Sequence, residues 1–230
     1  MKIVSSARIK TKIREHLKTK FPEVDFYFFG SMEEAGEHYI DADVLITYGD
    51  DLTEKHIEKA KKLKWIMVIA AGVEQLPFQR LIKKNIIVTN AKGIHAKPMA
   101  EYTMAMILQV ARNTKTLIKN EQEKIWDRRV PLTEINGQTL AILGAGTIGT
   151  EIARLAQAFH IKTIGVNRSG RKVHFMDEVY PSAQLKEAVA QADYVVNVLP
   201  LTKETYHLIN KEIFLSMKNT ATFINIGRGP

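Results

Sequence analysis

Gly144, Gly146 and Gly149 stand on a G-x-G-x-x-G spacing inside the stretch Thr139 to Thr150. The chemistry this pattern supports is binding of a dinucleotide pyrophosphate. The first glycine permits a tight turn, the second lets backbone approach phosphate, and the third lets helix lie close on strand. The helix that follows offers free N–H groups and a partial positive charge at its start. A second constellation, Asn167-Arg168-Ser169-Gly170-Arg171, ends the next strand-like run. An NAD site places a carboxylate there for the ribose 2′-hydroxyl. Here that carboxylate gives way to two guanidiniums and a hydroxyl, a set suited to charge-assisted bonds with a 2′-phosphate. The expected cofactor is NADP(H), with NAD(H) possible if the basic loop is merely solvated. A third group is Arg228, flanked by Gly227 and Gly229 after an apolar run. Such a guanidinium is freely approached and suits bidentate binding of a carboxylate and polarisation of an adjacent carbonyl. Gly72 and Val73 also follow an apolar run, and their backbone N–H groups suit a carboxylate; a plain turn is the alternative. His95 reads as an acid–base group or an ordinary loop residue, and Glu101 as a carboxylate favoured at a helix start.

These residues need parallel strands beneath them. Strand-like runs at 2–5, 24–29, 43–47, 65–70 and 86–89 alternate with helical patterns, notably 53–62 with Thr53 as N-cap. A long helical pattern runs from Pro98 to about Glu123, with apolar residues spaced for burial on more than one side. A polar segment, 127–138, leads into the strand 140–143, a helix over 150–159, and strands at 162–167, 194–199 and 221–226. This alternation predicts parallel α/β sheets in two domains, residues 1–94 and 95–230. Ligands in such sheets bind at the carboxyl ends of strands, so a cleft between the domains is the expected place for a substrate.

Bulk properties narrow the function classes. A chain of 230 residues that is 45% hydrophobic can bury a sizeable core. No run reaches the roughly 18 apolar residues of a membrane span, and the early Lys2 argues against a signal peptide. With no cysteine there is no disulfide and no thiolate chemistry, which fits a reducing cytoplasm. The net charge of +8 raises the question of nucleic acid. Its densest cluster, Arg8 to Lys20, alternates with Ile9, Ile13 and Leu17 at helical spacing and has no interleaved aromatics to stack bases. It reads as the solvated face of a helix, and no nucleic-acid partner is expected.

Several motifs then occur in one order: Ala71-Gly72-Val73-Glu74, Asn90 to His95 with Ala100-Glu101-Tyr102, the glycine turn, Leu199 to Thr205, and Asn225-Ile226-Gly227-Arg228-Gly229. In order and spacing the chain resembles the D-isomer-specific 2-hydroxyacid dehydrogenases, in particular the glyoxylate/hydroxypyruvate reductase-like branch. The resemblance implies two doubly wound parallel-sheet domains: a flavodoxin-like substrate domain over 1–94, and a Rossmann NAD(P)-binding domain over 95–230, incomplete at its C-terminus. It implies an oxidoreductase that exchanges hydride between NAD(P)H and C2 of a small 2-oxo or D-2-hydroxy acid such as glyoxylate or hydroxypyruvate, with no metal. Carried over by motif, Arg228 is the catalytic and substrate-binding arginine, and Gly72 and Val73 hold the substrate carboxylate. Gly144, Gly146, Thr147, Ile148 and Gly149 surround the pyrophosphate, while Asn167, Arg168, Ser169 and Arg171 face the ribose 2′ position. Met99, Leu199, Pro200, Thr205, Ile226 and Gly227 line the rest of the cofactor. The helix after Pro98 resembles the family's dimerisation region, which implies a homodimer.

The family follows its arginine with a glutamate and then a histidine that donates the proton. The sequence stops at Pro230, so it reads as part of a longer protein, and these residues alone are expected to bind cofactor at best. A non-catalytic dinucleotide-binding sensor or interaction protein of the same fold is the alternative.

Overall fold

Short apolar runs bounded by polar turns favour strands buried on both faces, and such strands pair in parallel when helices cover the sheet. A computed structural model describes residues 1–228; Gly229 and Pro230 lie outside the described residues. The chain divides into two units, Met1–Ile94 and His95–Pro230.

The first unit runs β1 (Lys2–Ser5), α1 (Thr11–Lys20), β2 (Asp25–Phe28), α2 (Met32–Ala35), β3 (Val44–Thr47), α3 (Glu54–Lys59), β4 (Trp65–Val68), α4 (Phe78–Lys83) and β5 (Ile87–Asn90). Its strands are parallel in the order β2-β1-β3-β4-β5, the flavodoxin-like order. Val4, Leu45, Ile66 and Val68 of the central strands pack with Ile57 and Leu81 of the covering helices. The edge strands alternate instead, and the basic helix α1 lies over one of them. The charged ends of Arg14 and Lys18 sit 5.4 and 5.9 Å from the centre of the Phe28 ring, so part of that charge serves an internal cation–π contact. Trp65 at the other side of the sheet donates from Nε1 to Thr89 Oγ1 at 2.8 Å.

The second unit opens with two helices, α5 (Ala96–Ala111) and α6 (Thr114–Gln122). It continues through β6 (Thr139–Leu143), α7 (Thr147–Ala158), β7 (Lys162–Asn167), β8 (Glu178–Pro181), α8 (Leu185–Ala190), β9 (Tyr194–Asn197), α9 (Lys211–Ser216) and β10 (Thr222–Asn225). The strand order β10-β9-β6-β7-β8, all parallel, is a doubly wound Rossmann arrangement with its switch point at β6. Ile152, Ala153 and Ala156 of α7 share one core with Leu140 and Ile142 of β6 and with Ala100, Met104 and Ile107 of α5. Trp126, in the segment after α6, is 90% exposed.

Both sheets fasten their first strand in the same way. Lys2 N donates to Asp43 Oδ2 and Thr139 N to Asp193 Oδ2, each at 2.9 Å. Each aspartate precedes the strand paired beside the first one, so one carboxylate closes the amino-terminal edge of the ladder.

The structure departs from the sequence expectations in four places. The pattern from Pro98 to Glu123 is two helices, because Asn113 adopts left-handed backbone (φ 44, ψ 43) between them, a conformation that asparagine tolerates better than most residues. Strand β8 is unanticipated. Helix α7 begins at Thr147, not Thr150, with Gly146 as its N-cap. Strands β4, β9 and β10 stop at Val68, Asn197 and Asn225, so the residues after them are free to turn into loops. No helix among the described residues is long and apolar enough to cross a membrane.

Candidate functional site

The glycine turn grows directly from β6. Gly144 N and Ala145 N both donate to Val166 O at 3.0 Å, anchoring the turn to β7. Gly144 has φ +108, and a Cβ there would lie 3.1 Å from the Val198 carbonyl carbon. A Cβ on Gly149 would collide with the Gly144 carbonyl oxygen. These two positions need glycine for the chain's own packing. Gly146 does not: a Cβ there meets nothing within 4 Å. It caps α7 with no side-chain hydrogen bond, and the amides of Thr147, Ile148 and Gly149 have no protein acceptor among the described residues. The result is a cradle that a side chain would fill, above free N–H groups at the positive end of a helix dipole. That geometry fits a pyrophosphate.

Two loops flank this cradle, because β6 lies between β7 and β9. After β7, Asn167 Nδ2 donates to Arg171 O at 2.7 Å, and Ser169 N donates to Asn167 Oδ1 at 3.1 Å. The amide of Asn167 is therefore occupied in shaping the loop, while Arg168, Ser169 and Arg171 present exposed side chains. After β9, Thr205 Oγ1 donates to Pro200 O at 2.6 Å and accepts from Thr202 N at 2.8 Å, which folds Leu199 to Thr205 into a tight turn. A hydrogen bond from Thr202 and one from its own backbone hold the Glu204 carboxyl below the usual carboxylate range, with smaller contributions from the charges of Arg168 and Lys203.

Sequence reasoning missed the device at the ends of β9 and β10. Asn197 and Asn225 are register partners, and Asn197, 5% exposed, donates from Nδ2 to Asn225 Oδ1 at 3.0 Å. Asn225 Oδ1 also accepts from Gly227 N at 3.0 Å, and Asn197 Oδ1 accepts from Leu199 N at 3.1 Å. One pair of amides so sets both strand exits. Gly227 must be glycine, since a Cβ would stand 2.7 Å from Leu199 O and 2.9 Å from Asn197 Nδ2. Arg228 follows, its amide reaching Leu199 O at 3.4 Å. A cavity of about 260 Å³ opens here, lined by Leu199, Thr205, His207, Asn225 and Arg228 among others. Ile226 donates its amide to Asn197 O at 3.0 Å, and Met99 is half-buried in the first turn of α5. His95 is the N-cap residue of that helix and is exposed.

In the first unit, Gly72 and Val73 lie in the turn after β4. Asn90 Nδ2 holds that turn by donating to Ala71 O at 2.6 Å. The amides of Gly72 and Val73 have no protein acceptor among the described residues. The described residues contain no cluster of His, Asp and Glu arranged to hold a metal ion.

A family model described as "D-isomer specific 2-hydroxyacid dehydrogenase, NAD binding domain" matches residues 104–230, more than half of the chain. The chain belongs to this family. Among similar dehydrogenases, the D-3-phosphoglycerate dehydrogenase of Methanocaldococcus jannaschii is 35% identical over 86% of this chain and 38% of its own length. The glyoxylate reductase of Pyrococcus horikoshii is 31% identical over 82% of this chain and 59% of its own length. The chain thus spans less than two thirds of either. A crystal structure of a D-isomer specific 2-hydroxyacid dehydrogenase family protein from Aeromonas salmonicida superposes with a TM-score of 0.87 at 29% identity, covering 99% of this chain and 73% of that one. The matched residues 104–230 include the glycine cradle on β6 and α7.

Proposed function

We propose that this chain carries the cofactor-binding and carbonyl-polarising parts of a D-2-hydroxyacid dehydrogenase acting on a small 2-oxo acid of the glyoxylate or hydroxypyruvate type, with NADP(H) preferred. The observation that carries the reading is the open, side-chain-free helix start at Gly146, which the protein's own packing does not require. When bound, the nicotinamide cofactor supplies or accepts the hydride. The chain's own residues bind the cofactor and substrate and polarise the carbonyl. The amides of Thr147 and Ile148 hold pyrophosphate within the turn of Gly144, Gly146 and Gly149. Arg168, Ser169 and Arg171 hold a 2′-phosphate through charge-assisted bonds. Met99, Leu199, Pro200, Thr205, Ile226 and Gly227 give the remaining cofactor surface its shape. Arg228 binds the substrate carboxylate and polarises the keto oxygen, stabilising the negative charge that develops there. The free amides of Gly72 and Val73 donate to a substrate carboxylate. The names of the glyoxylate reductase and phosphoglycerate dehydrogenase relatives support a small, anionic 2-hydroxy acid.

Two further properties belong to this reading. Tyr102 and Val110 of α5, 51% and 53% exposed, and Leu117 and Ile118 of α6 present apolar side chains suited to packing against a second copy of the chain. The absence of cysteine fits a cytoplasmic location.

The test is a titration with NADPH and NADH, followed by assay of NADPH oxidation with glyoxylate and hydroxypyruvate. The expected result is saturable binding, tighter for NADPH; in a protein that also carries the family's proton-donating histidine, turnover is expected that Arg228→Ala lowers by about 10²-fold or more. Failure to bind either cofactor would overturn the reading.

A further inference from the structure

The loop after β7 is built around one side chain. Asn167 Nδ2 donates a hydrogen bond to Arg171 O at 2.7 Å, and Asn167 Oδ1 accepts one from Ser169 N at 3.1 Å. A single planar amide, using one donor and one acceptor, so bends residues 167–171 back on themselves. Gly170 completes the bend in left-handed backbone (φ +71), and a Cβ there would stand 3.0 Å from Pro181 Cδ on β8. Arg168, Ser169 and Arg171 are exposed and make no side-chain hydrogen bond or ion pair among the described residues, and the charge of Arg168 also acts on Glu204 after β9. Two cations and a hydroxyl are thus held ready on a loop that contains no acid of its own.

We infer that Asn167 is a positioning and specificity-determining residue, whose side-chain amide shapes the loop that recognises a 2′-phosphate. The point goes beyond the mere absence of a carboxylate. An aspartate at 167 would still accept from Ser169 N, but it has no proton to give Arg171 O, and two oxygens would then oppose each other. Restoring the acid that NAD sites carry at this place therefore opens the loop without creating a site for NADH. The inference rests on the reading that Arg168 and Arg171 hold the 2′-phosphate.

The experiment is a fluorescence titration of the full chain and its variants with NADPH and with NADH, which reads binding without turnover. The double variant Arg168→Ala/Arg171→Ala tests the underlying reading: NADPH affinity falls about tenfold or more while NADH affinity stays. Asn167→Ala is expected to lower NADPH affinity by about tenfold with NADH affinity unchanged, since NADH makes no use of the loop's phosphate donors. Asn167→Asp is expected to lose at least as much NADPH affinity and to gain none for NADH. If the arginine variant loses the preference but Asn167→Ala keeps it, the positioning role is wrong and the 2′-phosphate reading survives. Equal loss of both cofactors in Asn167→Ala, or a gain for NADH in Asn167→Asp, overturns the inference as well. If the double arginine variant keeps the wild-type preference, the reading itself falls, and the inference with it.

Discussion

A glycine is required either by the packing of its own chain or by something that comes to lie against it, and the turn after β6 contains both kinds. Gly149 is of the first kind, because a methyl group would run into the Gly144 carbonyl. Gly146 is of the second, because a methyl group there meets open space. The two alanine variants should therefore separate. Gly149→Ala should cost about 1–3 kcal/mol of stability. Gly146→Ala should cost less than about 1 kcal/mol yet weaken dinucleotide binding sharply, since its methyl covers the free amides. Thermal melts paired with NADPH titration check this; wild-type affinity in Gly146→Ala would remove the cradle from the argument. At this scale the motifs were legible in the sequence because each is contiguous. The Asn197–Asn225 pair was not. The two residues are 28 positions apart, and only the parallel register of β9 with β10 makes them neighbours. Asn167 was legible as a missing acid but not as a brace, because its two partners are backbone atoms that carry no residue-type signal.

Among the elements, strands read best where both faces are buried. β6 and β9 are nearly continuous apolar runs, and the sequence marked both. β8 is half-buried at a sheet edge and ends in Pro181, so it carries neither an apolar run nor clean alternation. The break between α5 and α6 escaped notice because Arg112 and Asn113 interrupt no helical periodicity; the signal is one left-handed residue. The strand-start aspartates escaped for another reason, since their partners are main-chain amides. In the first sheet, Asp43 and its neighbour Asp41 give a pH dependence. The Lys2 amide holds the Asp43 carboxyl below the usual carboxylate range, and the Lys2 side chain does the same for Asp41. Such carboxyls bind protons more readily in the unfolded chain, so the stability they contribute is complete above about pH 4 and is lost as pH falls through their lowered folded values. Asp43→Asn keeps an oxygen for the Lys2 amide but cannot titrate. Its melting temperature should therefore fall less steeply with acidification than that of the wild type, and superimposable profiles would refute the assignment.

For the molecule as a whole, two sheets of different strand order share one chain, and each carries its own core. The exposed apolar side chains of α5 and α6 are the feature on which the dimer proposal rests. At micromolar concentration the protein should sediment with about twice its 26.1 kDa mass, and Val110→Lys with Leu117→Lys should return it to the single-chain value. A wild type that sediments at 26.1 kDa would end the dimer proposal. The doubly wound class was legible from the alternation of strand and helix. The different orders of the two sheets were not, because order is decided by crossovers that leave no periodic trace.

The placement of the two tryptophans makes the chain its own optical instrument. Trp65 belongs to the first sheet, 39% exposed and bonded to Thr89, whereas Trp126 of the second unit already stands in water. Denaturant has little left to change around the second indole, so a red shift in emission reports the loss of the first sheet alone. Circular dichroism sees helices in both units. Where the emission and dichroism curves part company along a urea series, the gap measures how independently the flavodoxin-like and Rossmann halves melt.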